Sequence, residues 1–114
     1  MSRRKKHPSA AADLLPDDLR LALPELNSQA GIRDPIVYAK FRSRDSGWVW
    51  YVTEGSPQDN DFLFFGLVIG LDQEWGYFSH SQLTERWPPW SFPIERDVHF
   101  KADCLSRVMA REHC

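Results

Sequence analysis

The stretch that decides the fold is residues 38–78, YAKFRSRDSGWVWYVTEGSPQDNDFLFFGLVIGLDQEWGYF. It holds eleven aromatic residues in 41 positions, arranged in alternating, strand-like order. Aromatic side chains bury large areas and favour the pleated, half-buried surface of a β-sheet. The stretch therefore predicts the sheet and most of the hydrophobic core, but it does not specify a chemistry.

The pattern predicts an antiparallel sheet of four to five strands, because the connections between consecutive strands are short. The strands are predicted at about residues 35–42, 48–53, 62–69, 74–79 and 94–100. Residues 43–47, SRDSG, are typical of a hairpin turn. Residues 54–61, EGSPQDND, are predicted to form a polar loop. Gly66, inside the third strand, indicates a β-bulge or the close approach of another backbone.

The third strand is apolar on both faces, so it is predicted to be central and to be covered on each side. Short helices predicted at about residues 16–22, 80–86 and 103–112 would supply that cover. Ser79 and Gln82 have the spacing of a capping box at the start of the second helix. Asp103 is a candidate cap for the third. The predicted fold class is therefore α+β.

A chain of 114 residues forms one domain, predicted to span residues 13–114. Residues 1–12 include four consecutive basic residues, Arg3–Lys6, and are predicted to be a disordered basic tail. This tail is either a solvated terminus or a polybasic contact for nucleic acid. No apolar run approaches the ~20 residues of a membrane span, and no signal-peptide pattern is present, so no membrane association is expected. Cys104 and Cys114 are expected to be free thiols in a cytoplasmic protein.

Charge is segregated along the chain, although the net charge is only −2. Between Asp45 and Glu85 there are seven acidic residues and no lysine or arginine. An acidic, aromatic body of this kind repels phosphate groups and attracts basic surfaces or cations. We therefore expect a protein-binding surface with the candidate residues Trp48, Trp50, Glu54, Asp59, Asp61, Asp72 and Glu74. Core packing is the alternative role for the tryptophans, and a solvated loop is the alternative for the carboxylates of residues 54–61.

A second candidate cluster lies in the last predicted strand. Glu95, Asp97 and His99 would project from one face of it, because side chains alternate with a period of two. Two carboxylates and an imidazole could hold a divalent metal or carry out acid–base chemistry. The alternative is a solvated strand face. The sequence contains no Gly-rich phosphate loop and no G-x-S-x-G, C-x-x-C or H-E-x-x-H motif, and it predicts no catalytic residue, cofactor or metal.

Three blocks of the sequence resemble a known bacterial family. They are residues 50–55 (WYVTEG), residues 61–79 with the segments DFLFFGLVIG and EWGYFS, and residues 93–100 (PIERDVHF). In order and spacing they are similar to the proteins catalogued as domain of unknown function 2958, over about residues 14–105. Residues 87–92, WPPWSF, depart from the Gly/Leu-rich linker of that pattern. The resemblance implies a small protein of plasmids, integrated conjugative elements and prophages of Proteobacteria, with no established activity or catalytic residue.

These observations favour a non-enzymatic protein-binding or regulatory protein of mobile genetic elements. Its expected partner is a host or element-encoded protein with a basic surface. A specific form is an anti-defence protein that presents its acids to the nucleic-acid-binding site of a CRISPR or restriction complex. One alternative is a small metal-dependent hydrolase that uses Glu95, Asp97 and His99. Another is an accessory protein that binds nucleic acid through the Arg3–Lys6 arm.

Overall fold

The computed structural model describes residues 13–84 and 94–113. Within these ranges the chain forms, in order, α1 (Asp17–Ala22), β1 (Ile36–Val37), β2 (Ala39–Ser43), β3 (Val49–Gln58), β4 (Asp61–Ile69), β5 (Gln73–Ser79), α2 (His80–Thr84), β6 (Ile94–Arg96), β7 (Asp103–Cys104) and α3 (Leu105–His113). The predicted basic tail at residues 1–12, the segment 85–93 and Cys114 lie outside the described residues. None of the described helices is long and apolar enough to span a membrane.

The fold is α+β, as predicted. A five-stranded antiparallel sheet has the order β5-β4-β3-β2-β6, and β1 and β7 form a second, two-stranded sheet. The second sheet was not predicted. The single strand predicted at residues 35–42 is divided in the structure into two strands, β1 and β2. β1 pairs with β7, whereas β2 pairs with β3 and β6. The chain changes sheets at Tyr38, whose N–H donates to the carbonyl of Val52 at 2.8 Å.

β3 is longer than predicted, and the polar loop predicted at residues 54–61 is wrong. The strand continues to Gln58, which pairs with Asp61, so only Asp59 and Asn60 form the turn. Asp59 has φ 56, a left-handed conformation that Asp adopts more readily than most residues. Pro57 and Gln58 are exposed at this end of the strand, where a turn-forming residue and a polar residue are both tolerated. Strand pairing is made by the backbone, so polarity alone did not reveal it.

The sequence left two roles open for Gly66, a β-bulge or the close approach of another backbone. The pairing of β3 and β4 shows which applies. A Cβ atom added to Gly66 would lie 1.9 Å from the carbonyl oxygen of Tyr51, so the close approach is confirmed. A bulge is also present, but in the partner strand, where the register shifts between Val52 and Glu54. Because the bulge breaks the alternation of side chains, all five residues from Tyr51 to Gly55 are buried.

Two hydrophobic clusters lie on opposite faces of the five-stranded sheet. The first packs under α1 and α2 and includes the buried residues Leu23, Phe41, Val52, Phe64, Phe78 and Leu83. The second packs under α3 and consists of Val37, Tyr51, Leu67 and Val108. β4 is an interior strand with cover on both faces for most of its length, as predicted, and β3 occupies the middle of the sheet.

The first two helices begin as predicted. α1 follows Pro16 and ends before Pro24, which has no backbone N–H to continue the helix. At α2, the N–H of Ser79 donates to the Gln82 side chain at 2.8 Å and the N–H of Gln82 donates to Ser79 Oγ at 3.1 Å. These reciprocal bonds confirm the capping box. The predicted end of this helix at residue 86 lies outside the described residues.

The third helix begins at Leu105, later than the predicted residue 103. Asp103 and Cys104 pair with β1 instead, so Asp103 is not the helix cap. Asp34 takes that role, because its carboxylate accepts the backbone N–H of Ser106 at 2.8 Å and the Ser106 hydroxyl at 2.7 Å. The acceptor at the start of α3 is therefore distant in sequence. A local sequence pattern could not reveal it.

The pair Gly66 and Gly76, which face each other across β4 and β5, allows a matched test of the close contact. We expect Gly66→Ala to lower the free energy of unfolding by about 1–3 kcal/mol, because its Cβ would collide with backbone. Gly76→Ala meets nothing within 4 Å and is expected to be neutral or to stabilise by up to about 1 kcal/mol. Urea unfolding measures both changes, and equal effects of the two substitutions would contradict the contact.

Candidate protein-binding surface

Exposed apolar side chains concentrate around β5, the strand at one edge of the sheet. Five of the seven exposed large hydrophobic residues of the described ranges line two grooves that flank this strand: Ile32, Trp48, Leu71, Trp75 and Tyr77. Within the described residues, β5 pairs with β4 alone. Single exposed apolar residues are ordinary, but a contiguous group of them marks an interaction surface.

The tryptophan groove lies on the sheet face that carries the α1/α2 cluster. It is defined by Trp48, Trp50, Glu74, Gly76 and Gln82 and has a volume of about 540 Å³. The ring centroids of Trp48 and Trp50 are 6.1 Å apart, so the two indoles form one apolar wall. Gly76 leaves the groove open, since a Cβ atom there would contact nothing within 4 Å. Leu71 and Asp72 also line the groove and are exposed.

The tyrosine groove lies on the opposite sheet face. It is defined by Ile32, Arg33, Phe65, Trp75 and Tyr77 and has a volume of about 330 Å³. Phe65 stacks on Trp75 with centroids 5.7 Å apart and approaches Tyr77 at 4.8 Å. Phe65 itself is only partly buried, so the predicted cover of β4 is incomplete at this position. The result is an aromatic wall that is accessible to solvent.

The loop that forms the other wall of the tyrosine groove is held by a buried carboxylate. Glu54 is only 3% exposed, and its two oxygens accept the backbone N–H groups of Asn27 at 2.7 Å and Gln29 at 2.8 Å. The Gln29 side chain in turn donates to the carbonyl of Thr53 at 2.8 Å and accepts the N–H of Ile36 at 2.7 Å. These bonds satisfy a buried charge that would otherwise be costly, and they fix residues 27–36 against β3.

The structure separates the seven predicted surface residues into three places. Trp48, Trp50, Asp72 and Glu74 come together in the tryptophan groove. Asp59 and Asp61 lie at the opposite end of β4, about 26 Å away at roughly 3.3 Å per residue. Glu54 is not on the surface at all, because the bulge turns it into the protein. Four of the seven candidate residues therefore form one smaller site at one end of the sheet.

Asp61 has a structural role at the start of α2. Its carboxylate accepts hydrogen bonds from the hydroxyl and the backbone N–H of Ser81 and from the N–H of Phe62. The hydrogen bond from the Ser81 hydroxyl, followed by that from the Phe62 N–H, holds the pKa of Asp61 below its ordinary value of 3.8. The ionised carboxylate thus anchors the helix that follows β5.

The second candidate cluster is not assembled as predicted. β6 ends at Arg96 rather than continuing to residue 100, because the Asp97 side chain accepts the backbone N–H of His99 at 2.9 Å and the chain turns. The placement of Glu95, Asp97 and His99 on one strand face is therefore wrong. Within residues 13–84 and 94–113, no three His, Cys, Asp or Glu side chains are arranged to hold a metal ion.

Glu95 and Asp97 instead face cations in the neighbouring strand β2 and in the turn directly after it. Glu95 lies 2.9 Å from Arg44 and 3.6 Å from Arg42. Asp97 lies 3.5 Å from Arg42 and 4.0 Å from Lys40. Opposite charges across adjacent strands stabilise their pairing modestly, which gives these two carboxylates a structural role at the β2–β6 edge.

A polar cluster that the sequence did not suggest joins α3 to the sheet. The Tyr51 hydroxyl donates to Glu112 at 2.8 Å and lies 3.0 Å from His113 Nε2, while Lys40 donates to Glu112 at 2.7 Å. Burial, together with the hydrogen bond to Glu112, raises the pKa of Tyr51 above its ordinary range. A phenol that holds its proton this firmly is suited to donating a hydrogen bond, not to acting as a base. The cluster fastens the C-terminal helix.

Several important surface residues are absent from the sequence-based candidates, among them Phe65, Trp75, Gly76 and Tyr77. The alternation of Trp75 and Tyr77 in a predicted strand was a signal that both share one face. No local pattern could show that this strand lies at the sheet edge, because strand order depends on pairing between distant segments.

Comparison with known proteins gives one finding. A family model described as protein of unknown function (DUF2958) matches residues 14–112. The chain belongs to this family. No curated protein and no solved structure shows a significant match to it. Membership confirms the resemblance of the three sequence blocks, and it spans every described element from α1 to nearly the end of α3.

The Glu54 contacts predict a specific loss of stability. Glu54→Gln preserves shape but sets an amide N–H₂ against a backbone donor, so we expect the free energy of unfolding to fall by about 1.5–3 kcal/mol. Glu25→Gln, which alters an exposed carboxylate of the same loop, is the control and should change stability by less than about 0.5 kcal/mol. Urea denaturation provides the measurement. Similar stabilities for the two variants would mean that the carboxylate does not hold the loop.

The contacts of Asp61 predict a dependence of stability on pH. A folded-state pKa below the unfolded value stabilises the protein above the unfolded pKa, and that contribution is lost as the pH falls through the folded value. We therefore expect Asp61→Asn to lose less stability than the wild type between about pH 5 and pH 2. The pKa of Asp34 is also lowered, chiefly by the Ser106 hydroxyl. Part of the dependence of stability on pH therefore remains in the Asp61→Asn variant. Thermal unfolding across this range is the measurement, with Asp59→Asn as control; identical slopes for the wild type and Asp61→Asn would exclude the effect.

Proposed function

We propose that this protein is a non-enzymatic protein-binding protein that captures a partner with a basic surface through the tryptophan groove. The observation that carries the proposal is the convergence of exposed indole rings with the carboxylates of Asp72 and Glu74 at one accessible site. Tryptophan is enriched among the residues that dominate binding energy at protein interfaces. Indole faces also attract ammonium and guanidinium groups, and nearby carboxylates add a separate attraction between opposite charges.

The charge distribution supports a basic partner. No lysine or arginine occurs between Asp45 and Glu85, so the groove residues, all drawn from this interval, include no cation to repel one. Long-range attraction between opposite charges accelerates encounter and makes binding sensitive to salt. The partner is accordingly expected to present lysine or arginine side chains to the groove.

A more specific form of the proposal concerns biological context. We place the protein in the cytoplasm, among the products of mobile genetic elements. Its partner in this form is the basic nucleic-acid-binding site of a CRISPR or restriction complex, which the acids of the groove would occupy in place of phosphates. Support for this form comes from the acidic charge and from the sequence resemblance.

The two alternatives stay predictions. A metal-dependent hydrolase would need Glu95, Asp97 and His99, but the ion pairs to Lys40, Arg42 and Arg44 favour a structural role for the two carboxylates. The nucleic-acid hypothesis depends on Arg3–Lys6, which lie outside the described residues.

The proposal predicts that binding depends on where the negative charges are, not only on how many there are. The double variant Asp72→Asn/Glu74→Gln should weaken binding of the captured partner about tenfold, equivalent to ~1.4 kcal/mol. Tagged protein is used to capture partners from a bacterial lysate at low and at high salt. The partner identified by mass spectrometry is then purified, and its dissociation constant is measured for each variant.

The control is Glu25→Gln/Asp59→Asn, which produces the same change in net charge at exposed sites away from the groove. It should retain wild-type affinity. Equal losses in the two double variants would reduce the effect to net charge and contradict a specific groove. A partner without basic residues at its binding surface, or binding that does not weaken in high salt, would also contradict the proposal.

A further inference from the structure

We infer that the partner binds as an added β-strand along the edge of β5 that no other described strand pairs with, and that its side chains enter the tryptophan and tyrosine grooves alternately. This inference rests on the proposed function and specifies its geometry. The recognised element is an extended segment of another protein in which basic and apolar residues alternate.

The edge of β5 has the properties that strand addition requires. The seven residues Gln73–Ser79 pair with β4 in unbroken register, without a bulge. In a regular edge strand, alternate backbone N–H and C=O groups point away from the sheet and can pair with another chain. Natural edges are usually protected by lysine, proline, a bulge or shortness. β5 has neither lysine nor proline, and its length spans about 23 Å at roughly 3.3 Å per residue.

The two grooves lie where the side chains of an added strand would project. Successive side chains of a strand point to opposite faces of the sheet, and the grooves occupy the two opposite faces beside this one strand. Trp75 and Tyr77 line both grooves, which places the strand between them. Recognition of this type draws affinity from backbone hydrogen bonds and specificity from pockets for alternate side chains.

The chemistry of each groove assigns one class of side chain to it. The tryptophan groove combines indole rings with Asp72 and Glu74, so it suits the apolar stem and charged end of lysine or arginine. The tyrosine groove combines Phe65, Trp75, Tyr77 and Ile32 with Arg33, whose charge would repel a basic side chain. Apolar side chains such as valine or isoleucine therefore belong on that face.

The test uses a synthetic seven-residue peptide, Arg-Val-Lys-Ile-Arg-Val-Lys, with both ends blocked, and isotope-labelled full-length protein. We expect binding, with new hydrogen-exchange protection at alternate amides of Gln73–Ser79 on the side away from β4. Two N-methylated versions carry the methyl groups on the odd or on the even residues. One of them should bind at least tenfold more weakly than the other, because only one set of peptide N–H groups can face β5.

Sequence order and groove shape are tested separately. A peptide with the same composition but its basic residues grouped together should bind at least tenfold more weakly. Gly76→Val should fill the tryptophan groove without a backbone clash, since nothing lies within 4 Å of its Cβ position, and should weaken the parent peptide at least tenfold. The control Leu21→Ala removes an apolar side chain that is 86% exposed on α1, away from both grooves, and should leave binding unchanged.

Several outcomes would overturn strand addition. They are no binding of the parent peptide, equal binding of the two N-methylated peptides, or equal binding of the grouped peptide. A concentration-dependent dimer of the protein alone that Gly76→Val abolishes would identify a second copy as the occupant and overturn the inference as well. If partner capture depends on Asp72 and Glu74 while these peptide tests fail, strand addition is wrong and the proposed function stands. If the peptide tests succeed but partner capture does not depend on Asp72 and Glu74, strand addition stands and the proposed role of these two carboxylates in capture is wrong.

Discussion

The close contact between Gly66 of β4 and the carbonyl of Tyr51 in β3 is the constraint on which the rest of the structure depends. No side chain larger than hydrogen fits at Gly66, where an added Cβ would lie 1.9 Å from that oxygen. Beside this contact β3 inserts an extra residue, and the bulge moves Glu54 into the interior. Glu54 then binds the backbone of Asn27 and Gln29, which places a loop beside the exposed ring of Phe65. The close contact, the bulge beside it and the loop that Glu54 holds thus meet at the groove on this face of the sheet.

The candidate surface follows from two different physical causes. On one face of β5, the tyrosine groove is present because α3 covers only part of the sheet. The loop of residues 27–36, which Glu54 holds, forms the opposite wall and leaves Trp75 and Tyr77 exposed. On the other face, the tryptophan groove exists because Gly76 supplies no side chain between Glu74 and Phe78. In the part of the chain that the structure describes, both grooves lie beside an edge strand that is only partly covered. β5 contains neither lysine nor proline, two of the residues that commonly protect an edge strand from pairing with another chain.

Local signals predicted local structure well. The Ser79–Gln82 capping box, the helix ended by Pro24 and the turn closed by Gly47, whose N–H donates to Ser43 at 2.9 Å, all form from residues close in sequence. Predictions failed where a distant group competed with a local pattern. Asp34 replaced Asp103 at the start of α3, and pairing with β4 extended β3 through a segment whose polarity suggested a loop. The failure at β6 has a local cause instead, because the side chain of Asp97 accepts the N–H of His99 and the strand ends before His99 could join the two carboxylates.

The sequence by itself determined the α+β class, the positions of most strands, the family and the acidic, aromatic character of the chain, because these depend on composition and on short-range periodicity. Only the tertiary structure decided which of those acids and aromatic rings meet. Trp48 and Glu74 are brought together by the order of the strands, whereas Asp59 and Asp61 are carried to the far end of the sheet and Glu54 is buried. Strand order, the bulge and the partial cover by α3 arise from contacts between distant residues, and no local pattern encodes them.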